Sequence, residues 1–162
     1  MTRKLGVAVV GLGMAAKPHA LALQALSDHI EVYGAFARSE AARHSFSETY
    51  GFTAADDLES LADNPQVEAL ILITPPNARQ DIVTLFAGRG KHILSEKPLE
   101  RGLPQAKAIV ETCDRAGVRL GVVFQHRFRA ASEKLATFIQ SGDLGTVRVV
   151  RANVPWWRDQ AY

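Results

Sequence analysis

A glycine-rich turn between a short apolar run and a helical segment is the feature that most restricts the fold of this chain. The run Leu5–Val10 is almost continuously apolar, as in strands that are buried on both faces of a parallel sheet. The turn Gly11-Leu-Gly-Met-Ala-Ala16 follows it directly, and residues 15–26 are rich in helix formers. The order of strand, tight turn and helix predicts the first unit of an open α/β sheet.

The same alternation continues along the chain. Further strands are predicted at residues 30–37, 52–54, 67–73, 91–95 and 120–124, and further helices at residues 39–50, 79–87 and 104–116. Ser39 is expected to cap the first of these helices, Asp56 and Asp57 to close the strand at residues 52–54, and Gly117 to end the helix at residues 104–116. Parallel strands that are joined by helices of this length require right-handed crossovers, with helices on both faces of the sheet. The sequence therefore predicts a doubly wound α/β fold with a mostly parallel sheet.

The regular alternation of strands and helices ends after Phe124. A helix is predicted at residues 130–140, and Thr146–Val154 has the pattern of a strand that no crossover helix follows. We expect one domain over residues 1–125 and the beginning of a second, truncated α+β domain over residues 126–162. The pair Trp156 and Trp157 would then belong to this truncated second domain.

Composition argues against several classes of protein. The 162 residues include 47% hydrophobic and 22% charged residues, and 19 basic against 17 acidic residues leave a net charge of +2. The basic residues are scattered along the chain, which argues against a nucleic-acid surface. Residues 5–10 form too short an apolar run for a membrane or signal helix. We expect neither nucleic acid nor a membrane as a partner.

Cysteine and histidine usage gives two further expectations. Cys113 is the only cysteine, so the sequence has no internal disulfide and no thiolate metal cluster. This fits a reducing compartment, and the cytoplasm is the simplest location to expect. No pair of histidines has the spacing of a metal site, and we therefore expect no metal.

The glycine turn matches the dinucleotide-binding pattern G-x-G-x-x-A. Gly11 permits the tight turn, Gly13 lets a pyrophosphate approach the backbone, and the small Ala16 lets helix and strand pack closely. Met14 and Ala15 would add free amides at the positive end of the helix. These five residues are predicted to bind the cofactor. A turn without a ligand, and a methyltransferase that binds S-adenosylmethionine, are the alternatives.

The end of the second strand indicates which nucleotide is bound. An acidic residue about 20 positions after the glycine turn would hold the ribose hydroxyls of NAD. Ala37 stands at this position instead, and Arg38 and Ser39 follow it. A guanidinium and a hydroxyl can bind a 2′-phosphate by charge-assisted hydrogen bonds. The prediction is NADP, with NAD still possible, since Arg38 could be an ordinary surface arginine.

A lysine follows the strand predicted at residues 91–95. The segment Ser95-Glu-Lys-Pro-Leu99 places Lys97 at the carboxyl edge of the sheet, where open α/β folds bind ligands. Pro98 biases Lys97 toward extended geometry. A lysine at this edge could donate a proton to a substrate hydroxyl or accept one from it. Taken alone, Lys97 could also be a surface lysine.

Several motifs together resemble those of the glucose-fructose oxidoreductase, inositol dehydrogenase and MocA family. They are Gly11-Leu-Gly-Met-Ala-Ala16, Thr74-Pro-Pro-Asn77, Gly90-Lys-His-Ile-Leu-Ser-Glu-Lys-Pro-Leu99, Gln125-His-Arg-Phe128 and Ser141-Gly-Asp-Leu-Gly-Thr146. The resemblance extends over essentially the whole chain, and the Glu-Lys-Pro segment is its most specific part. It implies a Rossmann fold in the first domain and hydride transfer at a sugar or polyol carbon.

The resemblance also implies roles for particular residues. Lys97 would be catalytic and would lie beside the nicotinamide and the substrate. The further cofactor-binding residues would be Thr74, Pro75, Pro76, Asn77, Glu96 and Pro98. The substrate would contact Lys97 and, in the second domain, His126, Arg127, Trp157 and Arg158, although these could equally be hinge or strand residues. Family members are usually oligomers, so a homo-oligomer is expected for the full-length protein.

Two hypotheses for function follow. The first is an NAD(P)-dependent oxidoreductase that acts on CH–OH groups, for which this chain alone would lack most of the substrate domain. The second is a non-catalytic nucleotide-binding module or redox sensor, which would apply if 162 residues were the complete product.

Overall fold

A computed structural model describes residues 3–157 and 159–160 of the chain. Five parallel strands form one sheet in the order β2-β1-β3-β4-β5. Their bounds are β1 Leu5–Val10, β2 Ile30–Phe36, β3 Ala69–Leu72, β4 His92–Glu96 and β5 Leu120–Val123. The doubly wound, parallel α/β fold that the sequence predicts is therefore confirmed.

Six α-helices and two short 3-10 helices connect or follow the strands in the described part of the chain. The α-helices are α1 Ala16–Ala25, α2 Glu40–Tyr50, α3 Leu58–Asp63, α4 Gln80–Gly88, α5 Leu103–Arg115 and α6 Ala130–Ser141, and the 3-10 helices are Pro76–Ala78 and Gln125–Phe128. Ser39 caps α2 as predicted, since its side chain accepts a hydrogen bond from the amide of Ala42. Gly117 follows the end of α5, as predicted, with a positive φ of 67°.

The sheet is buried on both faces, which explains why its central strands are apolar throughout. Ala8 and Val10 of β1 pack into one cluster, which includes Phe86 of α4 and Ile109 of α5. Val7 and Val9 pack into the opposite cluster with residues of α1 and α2. Full burial of a Val, Leu or Phe side chain contributes roughly 1.5–3 kcal/mol. The two layers of helices thus hold the sheet between them.

The strand order creates a crevice at the carboxyl edge of the sheet. From β1 the chain continues to β2 on one side, and β3 pairs with β1 on the other side. The crossover from β1 leads to β2 on one side, whereas the crossover from β3 leads to β4 on the other side, so the direction of winding reverses between β1 and β3. Open α/β sheets bind ligands in such crevices.

One predicted strand is reduced to a single bridge, and a helix that was not predicted follows it. Residues 52–54 contribute only the isolated bridge between Ala35 and Ala54. The expectation of a strand was wrong because the segment leaves the sheet after this contact. Asp57, which we expected to close the strand, instead caps α3: its Oδ1 accepts a hydrogen bond from the amide of Ser60 at 2.6 Å.

Contacts between Cα atoms divide the chain into two compact units, Met1–Val123 and Phe124–Tyr162. The second unit contains α6, which ends at Gly142 with a φ of 80°. The strand that was expected at Thr146–Val154 is absent from it. That prediction was wrong because a strand needs a neighbour for its backbone hydrogen bonds, and residues 142–157 pair with no other strand that the structure describes.

None of the helices in the described ranges combines the length and the apolar character that are needed to cross a membrane.

Candidate functional site

The ends of three adjacent strands and the glycine turn meet at the carboxyl edge of the sheet. The amide of Gly11 donates to the carbonyl of Phe36 at the end of β2, with an N–O distance of 2.9 Å. The amide of Ile73, just after β3, donates to the carbonyl of Val10 at 2.7 Å. The turn after β1 is therefore held between the loops that follow β2 and β3.

The two glycines of the turn are required for different reasons. Gly11 has a φ of 102°, and a Cβ on it would lie 2.5 Å from the amide nitrogen of Thr74. This position therefore needs glycine for the fold itself. Gly13 does not have such a positive φ, and no described atom lies within 4 Å of the place where its Cβ would be. The space above Gly13 is open, and a ligand can approach the backbone there.

The N-terminus of α1 carries amides that can bind an anion. No side chain caps this helix, and its first turn has no acidic residue. The amides of Gly13, Met14 and Ala15 donate to no acceptor in the part of the chain that the structure describes, whereas the buried Ala16 donates to the carbonyl of Gly13 at 2.9 Å. Uncapped amides at the positive end of a helix form a site for a phosphate group.

The loop after β2 has a basic character. Arg38 is exposed, and Ser39 caps the N-terminus of α2. Nη1 of Arg43 donates to the carbonyl of Ala37 at 2.8 Å, and its guanidinium carbon lies 5.5 Å from the centre of the Phe36 ring. Sequence reasoning did not identify Arg43. Its position four residues after Ser39, one turn into a helix, was the available signal.

The turn after β3 contains a polar atom without a partner. Oγ1 of Thr74 is buried and makes no hydrogen bond with any residue that the structure describes. Pro75 precedes a short helical turn that begins with Pro76 and Asn77. Thr74 lies beside the glycine turn, and its unpartnered hydroxyl is therefore available for a group that enters the crevice.

Glu96 links the lysine turn to α1. Its Oε2 accepts a hydrogen bond from the amide of Lys97 at 2.9 Å, and its Oε1 lies 2.9 Å from Nε2 of His19. The side chains of His19 and Glu96 are 15% and 13% exposed, whereas Lys97 and Pro98 are exposed. Sequence reasoning assigned His19 no role in the site, because no local pattern links two residues so far apart in the chain.

A buried arginine joins the turn after β3 to the turn after β4. Arg79 is 2% exposed, and its guanidinium donates to carbonyls of both turns. Burial lowers the pKa of Arg79 from its ordinary value, and the charges of Glu96 and Glu100 partly offset this. Arg79 was predicted only as the first residue of a helix, so this role was missed.

The predicted substrate residues belong to the second unit. His126 and Arg127 lie in the 3-10 helix Gln125–Phe128 and are exposed. Trp157 is 80% exposed. Arg158 lies outside the described residues. No group of three or more His, Cys, Asp or Glu side chains within residues 3–157 and 159–160 could hold a metal ion.

An uncapped helix N-terminus beside a glycine turn, at the switch point of a parallel sheet, defines a dinucleotide-binding domain of the doubly wound α/β class. The chain belongs to the glucose-fructose oxidoreductase, inositol dehydrogenase and MocA family, described as an oxidoreductase family with an NAD-binding Rossmann fold, whose model matches residues 5–124.

Several characterised proteins are similar to the chain. D-xylose 1-dehydrogenase (NADP(+)) 2 of Haloferax volcanii is 33% identical over 150 residues, which are 92% of this chain and 44% of that protein. Glucose-6-phosphate 3-dehydrogenase of Bacillus subtilis is 26% identical over an alignment of 169 positions, which covers 98% of this chain and 47% of that protein. The chain thus spans about half the length of the curated relatives that it matches.

A solved structure has a fold similar to that of this chain. The WlbA dehydrogenase of Bordetella pertussis, crystallised with NADH and UDP-GlcNAcA, has a TM-score of 0.81 and 29% identity with this chain. The match covers 88% of this chain and 44% of that chain.

Proposed function

We propose that this protein is an NAD(P)-dependent oxidoreductase that transfers hydride between the nicotinamide and a CH–OH or carbonyl carbon of a sugar- or polyol-like substrate. The observation that carries the proposal is that the free amides of α1 and the exposed Lys97 lie at the same edge of one sheet. Membership of an oxidoreductase family supports it.

The glycine turn and the turn after β3 would hold the cofactor. The amides of Gly13, Met14 and Ala15 would bind the diphosphate, because these donors have no other acceptor among the described residues. The free hydroxyl of Thr74 would donate to the bound cofactor, and Pro75, Pro76 and Asn77 would line its edge. An open space at Gly13 and an unpartnered hydroxyl at Thr74 both fit this ligand.

Arg38 and Ser39 favour NADP over NAD. A guanidinium at the end of β2 attracts a 2′-phosphate, and Ala37 offers no carboxylate that would repel one. The Ser39 hydroxyl accepts a hydrogen bond from Ala42, so its own proton is free to donate to a phosphate oxygen. The relatives do not favour one cofactor, because the Haloferax relative is named for NADP(+) and the Bordetella structure contains NADH. The proposal of NADP therefore rests on Arg38.

Lys97 would transfer the proton. A bound nicotinamide cofactor would supply the hydride chemistry of the reaction between an alcohol and a carbonyl. In the oxidative direction the neutral amine of Lys97 would accept the proton of the substrate hydroxyl and become an ammonium group, and in the reductive direction that ammonium group would donate the proton to the carbonyl oxygen. Glu96 orients this turn through the Lys97 amide, and Pro98 continues it toward α5.

The remainder of the site is proposed to lie in a second domain. Residues 1–125 would form the dinucleotide-binding domain, and residues 126–162 would begin the domain that binds the substrate. His126, Arg127, Trp157 and Arg158 would contact the substrate, as the family resemblance implies. A cytoplasmic homo-oligomer is the state that we propose for the protein.

The proposal is tested by replacing Lys97 with alanine. D-xylose and glucose 6-phosphate, the substrates in the names of two relatives, would be the first compounds tested with NADP(+) and NAD(+). We expect Lys97→Ala to lower kcat by about 10²–10⁴-fold, the usual contribution of an acid or base, with cofactor affinity unchanged. Lys107→Ala, an exposed lysine on α5, is the matched control. Full turnover in Lys97→Ala, or no binding of either cofactor to the unmodified protein, would contradict the proposal.

A further inference from the structure

We propose that Arg79 is a positioning residue that sets the spacing between the Thr74 turn and the Lys97 turn, and thereby the place of the nicotinamide ring beside Lys97. The inference rests on the proposed function, because it concerns the same site. Arg79 lies at the beginning of α4 and touches neither cofactor nor substrate in this role.

The hydrogen bonds of Arg79 reach both turns. Its Nε and Nη2 donate to the carbonyl of Thr74 at 3.0 Å and 2.7 Å. Its Nη1 donates to the carbonyls of Glu96 and Pro98, and to that of Leu99 at 3.4 Å. One planar guanidinium therefore spans the two main-chain segments that are proposed to enclose the reactive end of the cofactor.

Within the described part of the chain, the two segments have no hydrogen bond between their backbones. The pairing of β3 with β4 ends at Leu72 and Ser95. Beyond this pair, no hydrogen bond between backbone atoms connects residues 73–78 with residues 96–99 in the described chain. Without such bonds the two segments would be free to separate beyond the end of the sheet. The hydrogen bonds of the Arg79 side chain join them instead.

An arginine suits this position better than other basic residues. Its donors are arranged in a rigid fork, so it can hold two groups of carbonyls at a fixed distance, whereas a lysine ammonium is a single point on a flexible stem. A buried guanidinium costs desolvation energy, and burial lowers the pKa of Arg79 accordingly. The carbonyls and the nearby charges of Glu96 and Glu100 offset part of this cost.

The test compares two ligands that differ only in the nicotinamide. NADPH contains the ring, whereas ADP-ribose 2′-phosphate has the same nucleotide without it. The variants are Arg79→Lys, which retains the charge in the same space, and Arg79→Met. Arg89→Met is the matched control, since Arg89 follows the same helix and makes only a partly exposed ion pair with Asp63 at 2.9 Å.

We expect Arg79→Lys to bind ADP-ribose 2′-phosphate normally and to lose roughly tenfold in NADPH affinity, as for one well-placed hydrogen bond. Its kcat should fall on the order of 100-fold, because a displacement of about 1 Å costs that much. A role in folding alone would lower both affinities together. The control should retain both affinities and the turnover.

The inference is overturned if the ratio of the two affinities is unchanged in Arg79→Lys, whether both fall or neither does. Arg79→Lys decides the question if Arg79→Met does not fold. Failure of the proposed function is a different result, since the unmodified protein would then bind neither NADPH nor NADH.

Discussion

Nε2 of His19 lies 2.9 Å from Oε1 of Glu96, and this contact joins α1 to the turn that carries Lys97. The other oxygen of the same carboxylate accepts a hydrogen bond from the Lys97 amide at 2.9 Å. The helix whose N-terminus is proposed to bind the diphosphate and the turn that is proposed to move the proton are thus connected through one carboxylate. Both side chains of the pair are largely buried, which makes the contact less dependent on solvent.

His19→Ala should destabilise the protein more than a similar change at the surface. Removing the imidazole leaves a mostly buried carboxylate oxygen without its partner, which costs about 1–3 kcal/mol. We expect the free energy of unfolding to fall by this amount in denaturant titrations. His44→Ala is the control, because His44 is exposed and makes only a 3.6 Å contact with Glu40 within α2. Equal losses in the two variants would show that the contact with Glu96 contributes nothing.

Gly11→Ala and Gly13→Ala should separate stability from binding. At Gly11 the new Cβ would lie 2.5 Å from the Thr74 amide nitrogen at a φ of 102°, and strain of this kind costs on the order of 1–3 kcal/mol or more. At Gly13 the methyl meets no protein atom within 4 Å. We expect thermal unfolding at a lower temperature for Gly11→Ala only. Gly13→Ala should remain stable but bind NADPH more weakly in fluorescence titrations, and normal binding would argue against a diphosphate at this turn.

Arg38→Ala should change the preference between the two cofactors. Charge-assisted hydrogen bonds contribute about 1.5–3 kcal/mol, so the affinity for NADPH should fall by about 10–100-fold. The affinity for NADH should not change, because that molecule lacks the 2′-phosphate. Arg115→Ala, an exposed arginine at the end of α5, controls for the loss of a positive charge. If both affinities respond alike, the reading of Arg38 as the residue that binds the 2′-phosphate is wrong.

Cys113 should make the protein less stable in alkaline solution. Burial raises the pKa of the Cys113 thiol above its ordinary value, and the charge of Asp114 adds to this. The folded state therefore keeps the thiol proton at a pH where the unfolded state has released it, so stability falls as pH rises above the ordinary thiol pKa. The free energy of unfolding between about pH 7 and pH 9.5 measures this loss. Cys113→Ala should lose less stability over the same interval, and equal slopes would exclude a contribution from the thiol.

Much of the fold follows from short stretches of sequence. β1 has the predicted bounds Leu5–Val10, and α2 has the predicted cap at Ser39. These elements could be predicted because their signals are local: an apolar run indicates a strand buried on both faces, and a hydroxyl before a helical stretch satisfies its first amides. The glycine turn was recognised for the same reason, since the residues that define it are adjacent.

Predictions failed where an element depends on a distant partner. Residues 52–54 and 146–154 both have strand-like composition, but the first makes a single bridge with Ala35 and the second pairs with nothing in the described chain. The tendency of a residue to occur in strands reflects packing against neighbouring strands as much as local preference. Sequence composition does not say whether such a neighbour is present.

The sequence by itself determined the alternating α/β architecture, the glycine turn and the presence of a lysine after β4. Only the tertiary structure decided that His19 meets Glu96 and that Arg79 reaches the carbonyls of Thr74, Glu96 and Pro98. His19 meets the Glu96 side chain, and Arg79 meets backbone carbonyls, at a place where the fold brings α1, the turn after β3 and the end of β4 together. Because Glu96 lies 77 residues from His19 and 17 residues from Arg79, no local periodicity encodes these contacts.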